Sequence, residues 1–321
     1  MTRVVVTGGA GFIGSNLVTA LVEQGFEVYV LDNLATGKEH NLAHLRDRIT
    51  LVKGCVEDLD ACLNIMQDCR YVWHLAALGS VPRSIADPLS SNLANVTGTL
   101  SVLWAAQKRG VERVVFASSS SVYGRQAILP QQTDHKANPS SPYAVTKLAG
   151  ESYMRVFWEC FGLQTVCLRY FNVYGPRQDP ESAYAAVIPS FISNLLHGRP
   201  AHIDGDGEQS RDFTFVEDCV QATVKAMTAP LAVGRVYNVA CSNQTTVNEL
   251  YRTLCALLQV DIAPVYSDAR SGDVRHSRAD ITRTIADLGY RPQFSLASGL
   301  AKSLPWYRDY FSEHNHRPSA G

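Results

Sequence analysis

Two residues four positions apart, Tyr143 and Lys147, offer the clearest prospect of proton transfer in this 321-residue chain. They lie in Ser140-Ser-Pro-Tyr-Ala-Val-Thr-Lys147, which reads as a helix start with Ser141 as N-cap and Pro142 in the first turn. A spacing of four puts both on one helical face. A phenol of ordinary pKa, about 10, is a poor base at neutral pH, and a neighbouring ammonium lowers it by favouring the phenolate. Upstream, Ser118-Ser-Ser-Ser121 closes the apolar run Arg113–Ala117. Those hydroxyls could hydrogen-bond a substrate oxygen at the carboxyl end of a strand.

A second constellation could hold phosphates. Val4-Val-Val-Thr-Gly8-Gly-Ala-Gly11-Phe-Ile-Gly14 reads as strand, glycine turn and helix start. Gly8 permits the tight turn, Gly11 the close approach of backbone to a pyrophosphate, and Gly14 the packing of helix on strand. The helix start then aims free N–H groups and a positive dipole end at the anion. Asp32 ends the next apolar run, where a carboxylate accepts from ribose hydroxyls and repels a 2′-phosphate. Together these predict a dinucleotide site that prefers NAD to NADP.

These residues need a scaffold that brings strand ends together. Strands are expected over Arg3–Val6, Glu27–Leu31, Thr50–Lys53, Tyr71–Leu75, Arg113–Ser118 and Gln164–Tyr170, with amphipathic helices over Ile13–Gln24, Asn95–Arg109 and Tyr143–Phe161. Such alternation predicts an α/β fold with a doubly wound parallel (Rossmann) sheet. After Gly175-Pro176 the rhythm loosens into short strands (202–203, 236–239) and the helices Val187–Leu196, Val216–Met227, Val247–Leu257 and Leu296–Phe311. The expected division is a cofactor domain over 1–175, joined by a returning strand near 235–240, and a smaller α/β substrate domain over 176–321.

Composition excludes several classes. Lys and Arg number 29 against 30 Asp and Glu, so the basic footprint of a nucleic-acid binder is absent. No stretch approaches the ~18 apolar residues of a membrane span, and the opening apolar run is too short for a signal peptide. A soluble, cytoplasmic protein is expected. The eight cysteines include no Cys-x-x-Cys pair and read as free thiols. His40 and His44 have helical metal-ligand spacing but read as part of a polar loop without a third ligand, so no metal is expected.

With these pieces in place the chain resembles an extended short-chain dehydrogenase/reductase, and within it the nucleotide-sugar 4-epimerases. The resemblance spans nearly the whole length. It is carried by Thr7-Gly-Gly-Ala-Gly-Phe-Ile-Gly14, Asp32-Asn33, His74-Leu-Ala-Ala77, Ser119 with Val122-Tyr-Gly124, Tyr143-x-x-x-Lys147 and Leu168-Arg-Tyr-Phe-Asn-Val-Tyr-Gly-Pro176, with Gly205-Asp-Gly207, Arg211-Asp-Phe213 and Gly272-Asp273 further on. Gly79-Ser-Val-Pro-Arg-Ser84, Ser182-Ala-Tyr-Ala-Ala-Val187 and Gly272-Asp-Val-Arg-His-Ser277 resemble most the bacterial UDP-N-acetylglucosamine 4-epimerases.

The resemblance implies roles by position. Tyr143 is the acid/base, Lys147 lowers its pKa and holds the nicotinamide ribose, and Ser119 bonds the reacting sugar oxygen. Gly8, Gly11, Phe12, Ile13 and Gly14 cradle the NAD pyrophosphate. Asp32, Asn33 and Val56 take the adenosine end, and Leu75, Ala76, Ala77, Asn95, Ser118 and Tyr170 line the rest. Ser80, Arg83, Ser120 and Ser121 border the sugar. Asn172, Val187, Arg211 and Arg270 grip UDP, with Asp273 on the uridine ribose side. Small Ser277 stands where glucose/galactose enzymes carry Tyr, which leaves room for an N-acetyl group.

Two departures matter. The family usually has Gly-Asp after its third strand, with the Asp on adenine; here Gly54 is followed by Cys55. Phe213 stands where some members have Tyr. The implied reaction is inversion at C4 of a UDP-hexose through a transient 4-keto sugar, on UDP-GlcNAc and also UDP-glucose. A UDP-glucuronate 4-epimerase, with Arg83 on the carboxylate, is the alternative; a 4,6-dehydratase would need an Asp-Glu pair where Ser120-Ser121 stand. An NAD-binding sensor is the non-enzymatic alternative. The resemblance also implies a homodimer through helices near Val96–Lys108 and Tyr143–Phe161. Val102, Leu103, Ala106, Met154, Phe157 and Phe161 would form the face, though packing on the sheet explains them equally well.

Overall fold

Runs of β-branched residues with both faces apolar become the strands of one buried sheet. The computed structural model describes residues 1–125, 128–182, 186–268 and 274–314. In it β1 (Arg3–Thr7), β2 (Glu27–Asp32), β3 (Ile49–Lys53), β4 (Tyr71–His74), β5 (Arg113–Ser119) and β6 (Gln164–Tyr170) join the strand Arg235–Val239 in a seven-stranded sheet. Every neighbouring pair is parallel, in the order Arg235–Val239, β6, β5, β4, β1, β2, β3. The chain order reverses between β1 and β4, which opens a crevice beyond their carboxyl ends.

Alternation along the strands sorts the core into two layers. Val5, Val72, Val114 and Phe116 face helices Leu59–Ile65, Gly98–Lys108 and Pro142–Phe161. Val4, Val6, Trp73 and Val115 face helices Phe12–Glu23 and Val216–Thr228. Trp73 Nε1 donates to the Thr223 carbonyl at 3.0 Å, tying that second layer to the sheet. Gly150 lets helix Pro142–Phe161 press onto the sheet: a Cβ there would meet the Phe116 ring at 2.5 Å.

The structure revises several details. Five of the six residues expected on a dimer face, Val102, Leu103, Ala106, Met154 and Phe157, are buried within this one chain; only Phe161 is exposed. The apolar side chains these helices do expose are Leu100, Val145, Val156, Trp158 and Phe161. The segment with His40 and His44 is a 3-10 helix, Glu39–Leu45, with Asn41, Leu42 and Leu45 buried, rather than a polar loop. Helix Gly98–Lys108 is preceded by a wider π-helical turn, Leu93–Thr97. Leu75 leaves the sheet one residue early, because Thr7 Oγ1 captures the Ala76 N–H. All eight cysteines are free thiols.

Three short strand pairs, without a periodic signature, shape the second half. Val173–Tyr174 pairs with Thr214–Phe215, Ser210–Arg211 with Thr245–Thr246, and His202–Asp204 with Val265–Ser267. Among the described residues no helix is long and apolar enough to cross a membrane.

Candidate active site

The glycine turn builds one wall of a cavity of about 430 Å3 at the β1/β4 crevice. Gly8 sits at φ +72°, and a Cβ there would meet the Ala76 amide nitrogen at 2.6 Å. A Cβ on Gly14 would strike the Gly8 carbonyl oxygen. Gly11 caps helix Phe12–Glu23 without a side chain, so the amides of the first turn stay open to the cavity. At the end of β2, Asp32 accepts from the Ala10 and Leu34 amides at 2.9 and 2.8 Å. Burial raises its pKa, and those two bonds oppose the rise. These groups fit a dinucleotide: a bare backbone cradle for pyrophosphate, then a carboxylate one strand further out.

The opposite wall carries the proton-transfer set. Ser141 caps helix Pro142–Phe161, its Oγ accepting from the Ala144 amide, and Tyr143 N donates to Ser84 Oγ at 3.0 Å. Lys147 Nζ donates to the Ala117 carbonyl at 2.7 Å and lies 5.9 Å from the centre of the Tyr143 ring. Burial pulls Lys147 down to about 8, against the field of Glu151 one turn on. Glu151 itself is held by both arms of Arg169 at 2.7 and 2.8 Å and accepts from Ser118 Oγ at 2.5 Å. Tyr143 departs from the simple expectation. Burial raises its phenol above the ordinary value, while a hydrogen bond with Ser119 pulls the other way. The Lys147 ammonium does not by itself make this phenol acidic.

His74, at the end of β4, shows how the crevice is braced. Its ring nitrogens bond Thr7 Oγ1 at 2.7 Å and Thr99 Oγ1 at 2.9 Å. Burial, then the charge of Lys147, brings it down to about 3, so the ring is neutral and structural. A second cavity of about 270 Å3 abuts the first, and Gln178 and Ala186 line both. Asn172, Val187, Arg211 and Phe213 line it together with His202, Asp204 and Gln209. Asn172 Nδ2 donates to the Asp212 carbonyl at 3.2 Å and reaches Ser277 Oγ at 3.5 Å. The Asp212 carboxylate receives the Cys241 and Ala279 amides, both at 3.0 Å, and so fixes the floor. Its burial raises the carboxyl to about 6.

Residues 4–240 match the NAD dependent epimerase/dehydratase family. The chain belongs to that family. The UDP-glucose 4-epimerase of Mycolicibacterium smegmatis is 39% identical over 312 residues, covering 96% of this chain and 99% of the relative. A solved UDP-N-acetylglucosamine 4-epimerase from Methanobrevibacter ruminantium, in complex with UDP-N-acetylmuramic acid, superposes with TM-score 0.93 at 40% identity, covering 96% and 99% of the two chains. A UDP-glucuronic acid 4-epimerase from Bacillus cereus, with UDP-glucuronic acid and NAD, gives TM-score 0.90 at 31% identity over 96% and 100%.

Against this NAD dependent family, most expected site residues converge. Gly8, Gly11, Phe12, Ile13, Gly14, Asp32, Asn33, Val56, Leu75, Ala76, Ala77, Ser118, Tyr143, Lys147 and Tyr170 line the first cavity, as do Ser80 and Arg83. Asn95 does not. It is buried behind the wall, its amide spent on Leu78 N, Leu78 O and Thr146 Oγ1. It holds the Leu75–Gly79 segment in place. Ser119, Ser120 and Ser121 stand off the lining as well; Ser119 Oγ accepts from the Ser121 amide and bonds Tyr143. The Ser277 side chain is buried beside Asn172. Arg270 and Asp273 lie outside the described residues. Sequence reading missed Gln178, Gln209 and Glu57, polar residues whose neighbours in the chain form no motif.

Proposed function

We propose that the chain is a UDP-hexose 4-epimerase that interconverts UDP-GlcNAc and UDP-GalNAc, and also UDP-glucose and UDP-galactose. One observation carries this reading: Tyr143, hydrogen-bonded to Ser119, and Lys147 line a dinucleotide-shaped cleft that shares a wall with a second, Arg211-bearing cavity. When bound, NAD supplies a hydride acceptor and donor at the sugar C4 and, oxidised, a positive ring whose field lowers a nearby phenol.

Tyr143 takes the proton of the 4-hydroxyl as the C4–H bond breaks, and Ser119 bonds the same oxygen. Lys147 fixes the ribose and keeps a positive charge near the phenolate. Arg211, with Arg270, grips the pyrophosphate through planar forks that match phosphate oxygens. Asn172 and Val187 hold the nucleotide handle, and Asp273 its ribose. A firm grip there leaves the 4-keto hexose free to turn and present its other face. Tyr143 then returns the proton to O4 on the inverted centre. Net redox change is zero, so the cleft has to retain its dinucleotide through the cycle.

Ser277 leaves space for the N-acetyl group. The glucuronate reading is favoured by Arg83, which lines the first cavity beside Ser80 and Tyr143. Incubating the purified chain with UDP-GlcNAc, UDP-glucose and UDP-glucuronate and following each C4 epimer by NMR decides between them. C4 epimers of the first two are expected; glucuronate alone would shift the reading, and no product from any would end it. The exposed Leu100, Val145, Val156, Trp158 and Phe161 support a twofold pairing of helices Gly98–Lys108 and Pro142–Phe161, to be read as a dimer mass by light scattering.

A further inference from the structure

The sheet order lays the cofactor out by strand. Phosphates belong at the end of β1, the ribose at Asp32 at the end of β2, and the base one strand further out, past β3. The cavity wall there is Gly54, Val56 and Glu57. An adenine ring offers an exocyclic amine, which needs an acceptor. The acid expected after Gly54 is Cys55, an exposed thiol that receives the Asn33 side-chain amide at 3.6 Å and is a weak acceptor.

Neighbouring acceptors already receive backbone amides. Asp58 Oδ1 caps the following helix through the Asp60 and Ala61 amides, at 2.9 and 3.1 Å. Asn33 Oδ1 takes the Ala35 amide at 3.0 Å. Both Asp32 oxygens hold backbone amides. Glu57 differs: it is a cavity-lining residue, and its Oε2, closed off from solvent, has no hydrogen-bond partner. A buried carboxylate oxygen without a donor costs more than one that is paired.

We propose that Glu57 takes over the adenine-reading role that Cys55 vacates, its carboxylate turning to accept from the exocyclic amine of the dinucleotide. This rests on the NAD reading of the cleft and adds a residue to it. Its signature is selectivity for adenine over a base bearing a carbonyl at the same place, since a carboxylate accepts from an amine and repels a carbonyl oxygen.

The test is equilibrium binding of NAD and of nicotinamide hypoxanthine dinucleotide to the full chain freed of nucleotide, by calorimetry and by ligand-induced shift in thermal midpoint. The wild type should prefer NAD by about tenfold, the worth of one hydrogen bond to a charged group. Glu57→Ala should bring that ratio close to one, mostly by weakening NAD. Cys55→Asp added to Glu57→Ala should restore the preference, which a merely damaged fold could not do. An equal preference in wild type and Glu57→Ala overturns the assignment, as does a wild type that binds both dinucleotides equally. Failure of the wild type to bind either would instead bring down the NAD reading beneath it.

Discussion

The two cavities that meet at Gln178 and Ala186 are built from different material. The cofactor cleft is built around a glycine turn, a helix start and the ends of β1, β2 and β4, all anchored in a parallel sheet. The second cavity is lined from segments scattered between Asn172 and Val247, held by strand pairs of two or three residues. A backbone site tolerates almost no change at its few glycines but is indifferent to most side chains. A side-chain site can be retuned one residue at a time. The family's shared cofactor and varied sugars follow from that division.

The largest effect is expected at Tyr143, in the wall of the cofactor cleft. Tyr143→Phe removes the proton acceptor while leaving both cavities intact, and general acid–base removal costs on the order of 10²–10⁴ in kcat. NAD affinity should stay within a few-fold of wild type. Near-normal turnover would show that Tyr143 does no proton chemistry.

Next, Gly14→Ala breaks the backbone side of the comparison. The added Cβ meets the Gly8 carbonyl and lies 2.8 Å from Gly9 Cα, with no flexible side chain to move aside. Overpacking of this kind costs about 1–3 kcal/mol, to be read as weaker NAD binding and a lower thermal midpoint. Unchanged cofactor binding would mean that the cradle is not rigid. On the side-chain side, Ser277→Tyr should suppress UDP-GlcNAc turnover about tenfold or more relative to UDP-glucose, by the same overfilling argument, with NAD affinity untouched. Equal losses on both sugars would remove Ser277 as the discriminating residue.

The same contrast explains what could be read in advance. Gly8–Gly14, Asp32 and Tyr143–Lys147 were legible because local spacing is itself the geometry: a turn, a strand end, one helical face. Seven strands and the main helices followed from periodicity. The place of Asn95 was not legible, because a buried amide serves protein and ligand equally well and its three partners come from distant segments. Val102, Leu103, Ala106, Met154 and Phe157 have the apolar period of a helix that packs on something, and period alone does not distinguish a sheet from a second copy. For Tyr143, spacing places a charge nearby but says nothing of the burial that raises its phenol. Glu57 sits in a Glu-Asp run that reads as solvated surface, and its one sequence signal was the missing acid at Cys55.

That position gives the smallest effect and the finest cut. In the wild-type background Cys55→Asp offers adenine a second carboxylate while Glu57 already supplies one. An amine has two hydrogens, so both acids can be used, but the new one is exposed and shares the neighbourhood with Glu57 and Asp58. Asn33 Nδ2, which now meets the sulfur, would donate to it and hold it in place. A net hydrogen bond in such a setting is worth about 0.5–1.5 kcal/mol, so NAD should bind roughly two- to tenfold more tightly in a calorimetric titration. Turnover should not change, because the base lies at the far end of the cleft from Tyr143. Tightening well beyond that range would mean that Glu57 contributes little, and the adenine end would then belong with the side-chain half of the comparison.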